Sequence, residues 1–463
     1  MRVVLADIEG VQGFVHKDTV VGGYGARMTG FSRVTRIASA LRRRLNDVPS
    51  ITMAYLAGIL KDAGHEVRFT RAAPLDGDVA LVLSSLVDHR NETRWARAAR
   101  ARGTRVGFVG LTASKLPELF EPHADFLIQG EPEEAVTRLA RGETLSGRVA
   151  SRELAHLDAL PFPRWDLLGV TGRRAFSSLW TRPLGGLPLL ASRGCPEFCT
   201  YCPHRILASY RSRSVKSVVD ELAYLCGLVP QPFVIFRDPL FSEDRERCLA
   251  LADEILARGL DVRFECETRL DRLDETLLAR LHRAGLRAIE FGVESLSPEA
   301  LRKLGRRPIP EQQQRSVIAS CNRLGIRTVG FYVLGLPSDT WDSIAATIDY
   351  SISLGSTLAQ FKLLTPYPGT PLWKQLSPLV FERDWEKFDG FTPTFAHPSL
   401  SPSDLRFLLA AAYSRFYLRA SCLANNLHVE RPPLLGLAER ADRFLRRWHA
   451  ESEMGRMSRA VEC

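Results

Sequence analysis

The three cysteines between residues 195 and 202 are the residues whose type and spacing most directly indicate chemistry. Cys195, Cys199 and Cys202 lie within eight residues, in a C-x3-C-x2-C arrangement. Thiolates this close along a chain can converge on one soft metal centre, and iron–sulfur clusters are usually held by four of them. A [4Fe–4S] cluster held by three thiolates leaves one iron open, and an open iron can bind a substrate. The motif therefore predicts a cluster that takes part in a reaction.

Two other uses of these thiols have to be weighed. A zinc site would need a fourth ligand, which His204 could supply, but ligands at positions 202 and 204 fit a closed tetrahedral site poorly and no second C-x2-C pair follows. A disulfide framework is disfavoured because nine cysteines in 463 residues, without regular spacing or a signal peptide, indicate a reducing, cytoplasmic location. The other cysteines are scattered singly and are expected to be small apolar residues or a tail thiol: Cys226, Cys248, Cys266, Cys321, Cys422 and Cys463.

The spacing of the three cysteines, with Tyr201 directly before the last one, resembles that of the radical S-adenosylmethionine (SAM) superfamily. The resemblance implies a [4Fe–4S] cluster on Cys195, Cys199 and Cys202. It implies that the open iron chelates the amino and carboxylate groups of SAM, which is cleaved reductively to a 5′-deoxyadenosyl radical. It also implies an external one-electron reductant of the flavodoxin or ferredoxin type.

The elements that must position these cysteines are predicted from six repeats of a buried strand followed by an amphipathic helix. The strands are 187–192, 233–237, 262–268, 288–293, 328–334 and 359–364, and the helices include 215–228, 245–257, 274–283, 311–324 and 338–354. Six such units fit an open, partial (β/α)6 barrel of the TIM type better than a closed eightfold one. The cysteine loop then follows the first strand, at the carboxyl face where such barrels place their chemistry.

Several of the predicted strand ends resemble SAM-contacting positions of the superfamily. By that resemblance Asp238 is expected to contact the SAM amino group, Arg269 the carboxylate through its guanidinium fork, and Glu294 the ribose hydroxyls. The further residues expected in the same binding site are Tyr201, Ser295, Gly335 and Pro337. A simpler alternative exists for each type, since a barrel carboxylate is often an internal ion-pair partner and glycine or proline often only forms a turn.

The first 150 residues predict a second unit of alternating strands and helices. Strands are expected at 2–8, 66–70, 78–84, 105–109 and 125–129, with helices such as 49–64 and 92–101. This alternation indicates an α/β fold with a parallel, doubly wound, Rossmann-like sheet, whose ligand lies beyond the carboxyl ends of the strands. The residues at those ends include Ser84, Ser85, Gly110, Gly130 and Glu131, and small residues there would let a large cofactor approach the backbone.

This part of the chain resembles the cobalamin-binding domain that precedes the barrel in a subset of radical SAM enzymes. The resemblance rests on 55–67 and 128–134, with an S-x-L segment at 84–86 and half of a G-G segment at 110–111. It implies that the five strand-end residues contact cobalamin. The D-x-H-x-x-G segment is absent and Glu9 stands where the cobalt-ligating histidine would be, so no histidine ligand is expected from that position. The alternative is a Rossmann-like domain that binds a nucleotide or nothing, although no G-x-G-x-x-G follows the first strand.

Composition bounds the remaining classes of protein. Hydrophobic residues make up 45% and charged residues 25% of the chain, as in ordinary globular proteins of two or three domains. No apolar run reaches the roughly 18–20 residues needed to cross a bilayer. The net charge of +9 comes mostly from arginine. The run 42–44 of three arginines could touch nucleic acid or an anionic substrate, but a solvated helix face is the favoured interpretation and no nucleic-acid partner is expected.

The sequence divides into a cobalamin-type domain at 1–150, a linker at 151–186, a barrel at 187–373 and a helical C-terminal region at 374–463. The linker is placed by a proline-rich stretch at 154–166. The C-terminal region is expected to cap the barrel with a helix at 402–418. The long segment after the first strand is expected to carry helices at 34–45 that cover the cofactor or the substrate channel, with a surface insertion as the alternative.

Together the two resemblances, which span nearly the whole chain, imply a cobalamin-dependent radical SAM methyltransferase. Such an enzyme transfers a methyl group from methylcobalamin to an unactivated carbon, and the lack of a recognisable nucleic-acid or membrane module favours a small-molecule substrate of specialised metabolism. Three alternatives stay open. One is an oxidative cyclase or rearrangement enzyme of the same architecture, without methyl transfer. The others are a tRNA methylthiotransferase, which the missing C-terminal nucleic-acid module disfavours, and a non-catalytic cluster- or corrin-binding sensor.

Overall fold

Two six-stranded parallel sheets organise the computed structural model, which describes residues 1–8, 10, 14–17, 23–28, 50–168 and 186–419. The first sheet begins with β1 (Arg2–Ala6), which is followed by an antiparallel hairpin of β2 (Phe14–His16) and β3 (Ala26–Met28). Its other strands are β4 (Glu66–Thr70), β5 (Val79–Leu83), β6 (Arg105–Val109), β7 (Phe126–Gly130) and β8 (Gly147–Ser151).

The strand order of the first sheet identifies its ligand-binding end. The order is β4-β1-β5-β6-β7-β8, and every neighbouring pair is parallel. The order reverses between β1 and β5, and doubly wound sheets bind their ligands beyond the carboxyl ends of the strands at that point. The helices are α1 (Ile51–Asp62), α2 (His89–Arg100), α3 (Leu111–Lys115) and α4 (Pro132–Ala140). The predicted Rossmann-like sheet is therefore confirmed.

The second sheet carries the barrel. Its strands are β9 (Gly186–Leu189), β12 (Phe233–Phe236), β13 (Arg263–Thr268), β14 (Leu286–Glu294), β15 (Arg327–Leu334) and β16 (Leu358–Leu363), in sequential spatial order and all parallel. A two-stranded antiparallel ribbon of β10 (Ser192–Arg193) and β11 (Arg211–Ser212) flanks the cysteine loop. β9 and β16 lie at the two ends of the sheet, as the predicted open (β/α)6 barrel requires.

Nine helices of the described residues surround and extend this sheet. They are α5 (His204–Leu207), α6 (Val215–Leu228), α7 (Arg245–Ala257), α8 (Glu275–Arg283), α9 (Pro298–Lys303), α10 (Glu311–Leu324), α11 (Trp341–Ser353), α12 (Pro371–Leu376) and α13 (Pro402–Tyr417). α13 packs on the end strand β16 through its tyrosines. The Tyr413 hydroxyl accepts from Phe361 N (3.2 Å) and donates to Phe361 O (2.9 Å), and Tyr417 pairs with Ala359 in the same way. α13 therefore covers β16, the end strand of the sheet, along the edge that has no neighbouring strand.

One hydrophobic core runs through both sheets, with helix α1 between them. Met53, Leu56 and Leu60 of α1 are completely buried and belong to the same cluster as the barrel strands. The Tyr55 hydroxyl lies 3.3 Å from both Glu221 carboxylate oxygens on α6, and Arg213 Nη1 donates to Glu221 Oε2 at 2.5 Å. The Tyr55–Glu221 contact joins α1 to α6 of the barrel, and Arg213 balances the charge of the buried Glu221, so breaking this group would be strongly destabilising.

Several sequence-based predictions fall outside the described residues. These are Glu9, the helices at 34–45, the arginines at 42–44, the linker from 169 to 185, and the tail from 420 with Cys422 and Cys463. Of the residues that the structure does describe, none belongs to a helix both long and apolar enough to cross a membrane.

Candidate active site at the facing sheet edges

The carboxyl ends of the two sheets meet across one apolar cluster. We call the carboxyl ends of β1, β5, β6 and β7 the N-terminal edge, and those of β9 and β12–β16 the barrel edge. The cluster contains Leu86 and Leu111 from the first, Leu336 and Tyr367 from the second, and Tyr24 between them. The Tyr24 ring stacks on Tyr367 with centroids 5.4 Å apart, and its hydroxyl donates to the Pro368 carbonyl at 2.6 Å. Ligands bound at the two edges would therefore face each other.

The cysteine loop lies on the barrel edge, directly after β10. Gly194 opens the loop with φ +71°, and a Cβ there would clash with the backbone of Ser209, so the turn requires glycine. Cys202 N donates to Cys199 O at 3.2 Å, and Thr200 N donates to Leu304 O at 2.8 Å. These bonds fold the segment from Cys199 to Cys202 into a turn and hold it against Leu304. Cys199 is buried, and Cys195 and Cys202 are half-buried.

The chemistry of these thiols depends on what binds them. Burial raises the pKa of Cys195 to about 11 and holds the pKa of Cys202 still higher, so without a metal both are protonated. A bound metal would displace these protons, because thiolates rather than thiols are ligands. In the described part of the chain no three side chains of His, Cys, Asp or Glu converge as ligands of a single metal ion would. These side chains include Cys195, Cys199 and Cys202, so the geometry bears equally on a zinc site and on a cluster.

Arg306 contacts the cysteine loop and was not predicted from the sequence. It is only 9% exposed, and its Nη1 lies 3.7 Å from Cys199 Sγ in hydrogen-bonding geometry. Its Nη2 donates to Gly292 O at 2.5 Å and lies 3.5 Å from Glu294 Oε1. Nothing in the local sequence separates it from Arg307, which is exposed and pairs with Asp271.

Glu294 ends β14 in an unusual backbone conformation. Its φ of +66° lies in the left-handed region, which a residue other than glycine adopts at a cost, and β14 shifts its register against β15 between Gly292 and Glu294. Its carboxylate forms the ion pair with Arg306 that the simpler alternative anticipates. Ser295 follows, buried, and its hydroxyl accepts from Ser297 N at 3.1 Å. A ribose contact by Glu294 stays a prediction.

Asp238 and Arg269 differ in how much of their hydrogen-bonding capacity the protein uses. Asp238 is fully buried and accepts from Ala191 N (3.0 Å) and Ser192 Oγ (2.5 Å), so both of its oxygens bind the strand that leads into the cysteine loop. Arg269 forks onto Asp271, with both bonds at 2.9 Å. Its Nη1 is buried and has no hydrogen-bond partner among the described residues. A free, buried guanidinium N–H fits an incoming carboxylate.

The turn after β15 is held by its own side chains. Gly335 has φ +81°, and the amides of Gly335 and Leu336 donate to Asp339 Oδ2 at 3.0 and 2.8 Å. His397 bonds to the Leu336 carbonyl at 2.7 Å, and Pro337 is half-buried. These amides are therefore occupied within the protein, and the adenine contact expected at Gly335 and Pro337 stays a prediction.

Two carboxyl groups inside the barrel were also missed. Glu265 and Glu267 alternate along β13, and burial, followed by repulsion from Glu290, raises the pKa of each to about 8. Glu267 is close enough to add to the raised pKa values of Cys195 and Cys202. Glutamates at alternating positions of a predicted barrel strand were the available signal, since one face of every barrel strand points inward.

The N-terminal edge is built from small side chains that already have partners. Ser84 Oγ donates to Val109 O (2.8 Å) and accepts from Ala113 N (3.1 Å). Ser85 donates from both its amide (2.9 Å) and its hydroxyl (2.6 Å) to Glu92. Gly110 has φ +110°, and a Cβ there would lie 3.0 Å from Ser84 Oγ. A ligand at the N-terminal edge would therefore meet backbone atoms and a surface shaped by small residues, rather than free side-chain ligands.

Gly130 and Glu131 lie at the side of this edge that touches the barrel. Gly130 has φ +101°, and a Cβ there would clash with the Ser151 carbonyl. Glu131 is buried, ion-pairs with Arg211 of β11, and lies 3.2 Å from Arg193 Nη1. Its carboxylate thus connects the N-terminal edge to the ribbon beside the cysteine loop, a partnership that the sequence did not predict.

One buried polar atom at the N-terminal edge lacks a partner. The Thr112 side chain is completely buried, and its hydroxyl has no hydrogen-bond partner among the described residues.

Lys17, also buried, lies 2.9 Å from Glu92 Oε1 and 3.7 Å from Asp88 Oδ2. Charges buried this deeply require partners, so Lys17, directly after β2, is tied to the first turn of α2.

Comparison with known proteins agrees with this arrangement. The profile of the radical SAM superfamily matches residues 189–351. An uncharacterized methyltransferase of Pyrococcus horikoshii is 26% identical over 434 residues, covering 84% of this chain and 92% of the relative. An anaerobic magnesium-protoporphyrin IX monomethyl ester cyclase of Cereibacter sphaeroides is 25% identical over 420 residues, covering 80% of this chain and 67% of the relative.

Two solved structures share the fold over nearly the whole chain. The radical SAM methyltransferase TsrM of Kitasatospora setae, solved with cobalamin and a [4Fe–4S] cluster, has a TM-score of 0.62 at 16% identity and covers 96% of this chain and 99% of its own. The cobalamin-dependent SAM radical enzyme OxsB, solved with aqua-cobalamin and SAM, has a TM-score of 0.66 at 14% identity and covers 95% and 70%. At these identities the likeness shows the fold.

Proposed function

Because residues 189–351 form a radical SAM domain and the whole chain has the fold of cobalamin-dependent radical SAM enzymes, we propose that this protein is a methyltransferase of that type. Its substrate is a small molecule that is methylated at an unactivated carbon. The observation that carries the proposal is the meeting of the two sheet edges across the cluster of Leu86, Leu111, Leu336 and Tyr367. Two cofactors bound at facing edges can act on one substrate held between them.

The barrel edge supplies the residues for a [4Fe–4S] cluster and SAM. Cys195, Cys199 and Cys202 provide three thiolates, and their turn is fixed by backbone bonds to Leu304 and within the loop. Arg269 offers its unpartnered, buried Nη1 to the SAM carboxylate. When bound, the cluster would pass on the electron that cleaves SAM, and the corrin would carry the methyl group to be transferred.

The N-terminal edge fits a corrin through its backbone. Gly110 has a positive φ and no side chain, so a flat macrocycle can approach the chain there, whereas the missing Cβ of Gly130 makes room for the Ser151 carbonyl. The buried, unpartnered Thr112 hydroxyl is a donor that a corrin substituent can satisfy. Both serines at the edge are committed to internal bonds, so they shape the site without ligating cobalt.

The residues between the edges exclude water from the reaction. Tyr24 and Tyr367 are 0% and 5% exposed and stack on each other, and Leu86 N donates to Tyr24 O at 2.9 Å. A carbon radical abstracts hydrogen from many neighbours, so a dry, rigid wall protects the reaction. In this proposal the chain's own task is spacing and exclusion, and an external one-electron donor supplies the electrons.

A second function is favoured by one observation, the 25% identical cyclase relative. The same edges and cofactors would serve an oxidative cyclisation without methyl transfer. The two functions differ in the fate of the SAM methyl group, which a cyclase does not move.

The first test is a cofactor count. The chain is purified anaerobically with iron, sulfide and hydroxocobalamin, and iron and corrin are measured per chain, with the Cys199→Ala variant as the control. We expect about four irons and one corrin for the native chain, and corrin alone for the variant. Four irons without corrin would contradict the proposal.

The second test distinguishes the two functions without a known substrate. The loaded protein is incubated with a chemical reductant and SAM labelled in its methyl group, and the corrin is then isolated. We expect label on the corrin of a methyltransferase and none on that of a cyclase. Production of 5′-deoxyadenosine in the same reaction reports cleavage of SAM at the cluster separately.

A further inference from the structure

Arg306 places a cation against one cluster ligand, and we propose that it sets the reduction potential of the [4Fe–4S] cluster. This inference rests on the proposed function, since it requires the cluster on Cys195, Cys199 and Cys202. Arg306 belongs to neither the cysteine motif nor any strand end predicted to bind SAM. It lies 107 residues from Cys199 in the chain.

The contact is directional. Nη1 of Arg306 lies 3.7 Å from Cys199 Sγ, within the range of a hydrogen bond to sulfur, and the guanidinium is only 9% exposed. Its Nη2 is fixed by the Gly292 carbonyl at 2.5 Å. Cys199 is itself buried, so little water competes for its sulfur.

A donor at this position favours the reduced cluster. Hydrogen bonds to the sulfurs and the local net charge are among the factors that set iron–sulfur potentials. Reduction adds one negative charge to the cluster, and a charge-assisted hydrogen bond in a site of low polarity stabilises the more negative state. Replacing Arg306 with a neutral residue should therefore lower the potential and make the cluster harder to reduce.

Arg306 is a positioning residue as well, because its other contacts lie at the end of β14. Gly292 O and Glu294 Oε1 both face the same guanidinium. A Cβ at Gly292 would lie 2.7 Å from Arg306 Nη2, so glycine is needed for this approach. One side chain thus connects the cluster ligand to the strand end predicted to contact SAM.

The experiment is a redox titration of the cluster by electron paramagnetic resonance, without SAM, on the native chain and on Arg306→Gln. The control is Arg302→Gln, which removes an equal charge from the exposed end of α9 close by in the chain. We expect the Arg306→Gln midpoint to fall by at least the equivalent of a tenfold change in the reduction equilibrium, about 59 mV for one electron. The Arg302→Gln midpoint should stay within a small fraction of that shift.

The outcomes separate this inference from the proposed function. A native chain that assembles no four-iron cluster overturns both. An Arg306→Gln protein with four irons and an unchanged potential overturns the inference alone and assigns Arg306 to the ion pair with Glu294. If Arg306→Gln does not retain its irons, Arg306→Met decides: it also removes the charge and the donor to Cys199, so its midpoint should fall likewise, and an unchanged midpoint contradicts the inference.

Discussion

The two facing edges are built in opposite ways. At the barrel edge, charged and thiol side chains point toward the site: three cysteines, Arg269 with a free Nη1, Arg306 against a sulfur, and carboxyl groups along β13. At the N-terminal edge, the glycines have positive φ and the serines are bonded within the protein. A ligand there meets mainly backbone atoms and a fitting surface. In the proposed function, the barrel edge binds its cofactors by side-chain chemistry and the N-terminal edge binds its cofactor by fit.

This difference matches the two cofactors that we propose. A metal cluster and a zwitterion need ligands and counter-charges, which only side chains supply. A large macrocycle needs area and close approach, and glycine allows the chain to provide both. Substitutions should therefore fail differently at the two edges: by loss of a ligand at the barrel edge, and by added bulk at the N-terminal edge.

The largest expected effect is the removal of a cluster ligand. Cys199→Ala should abolish the cluster and all cleavage of SAM while corrin binding persists, because the two sites share no residue. Cys226→Ala, which removes a half-buried thiol from α6, is the control and should retain both cofactors. Iron content, corrin content and 5′-deoxyadenosine production are measured together. Normal deoxyadenosine production by Cys199→Ala would refute the assignment of this ligand.

The opposite mode of failure is tested at Gly110. Gly110→Val should weaken corrin binding by about tenfold or more, since the new side chain projects into the edge beside Ser84. Gly103→Val is the matched control: Gly103 has φ +84°, and a Cβ there meets nothing within 4 Å. Both variants place a β-branched residue at a positive φ and bear the same backbone strain. A difference in corrin affinity between them therefore reports the effect of the added side-chain volume at Gly110. Equal affinity in the two variants would show that fit at Gly110 does not matter.

The sequence predicted the fold because the fold depends on local patterns. The apolar runs of the barrel strands ended close to where the structure ends them, and 215–228, 245–257 and 311–324 are helices with those bounds. These patterns need only the neighbouring residues to be visible. The position of the cysteine loop followed from the order of the strands.

The side-chain contacts of the site could not be predicted in the same way. Arg306 reaches Cys199 across 107 residues and Glu131 reaches Arg211 across 80, so no periodicity marks either pair. The SAM contact of Asp238 stays a prediction, but the sequence did not show that its two oxygens accept from Ala191 and Ser192. A charged residue at a strand end is visible in the sequence, but its partner is decided by folding.

The buried carboxyl groups of the barrel predict a pH dependence. Burial raises the pKa of Glu265 to about 8, against roughly 4.3 in an unfolded chain. Between these values the folded state holds a proton that the unfolded state has lost, so the free energy of unfolding falls as pH rises from about 4.3 to 8. Glu265→Gln removes this contribution, which is at most about 1.4 kcal/mol per pH unit.

Urea unfolding at several pH values, in one cofactor state, measures the slope. Glu275→Gln is the control, because that carboxylate is exposed and pairs with Arg323. We expect a flatter dependence on pH for Glu265→Gln and a native slope for Glu275→Gln. A Glu265→Gln slope equal to the native one would show that another group causes the pH dependence. It would also show that Glu265 holds no additional proton in the folded state.

The smallest expected effect lies where the N-terminal unit meets the segment before α13. Arg90 is 56% exposed in its side chain and pairs with Asp384 at 2.9 Å, whereas Arg27 is 9% exposed and holds Asp88 (2.8 Å) and Glu386 (3.2 Å). Arg90→Gln should cost less than about 1 kcal/mol, and high salt should erase the difference. Arg27→Gln removes the nearest cation from buried Asp88, which keeps only Lys17 at 3.7 Å, so its cost should be several-fold larger and persist in salt. Both arginines connect the same two parts of the chain. Equal losses in the free energy of unfolding would therefore mean that the exposed ion pair holds these parts together as strongly as the buried one does.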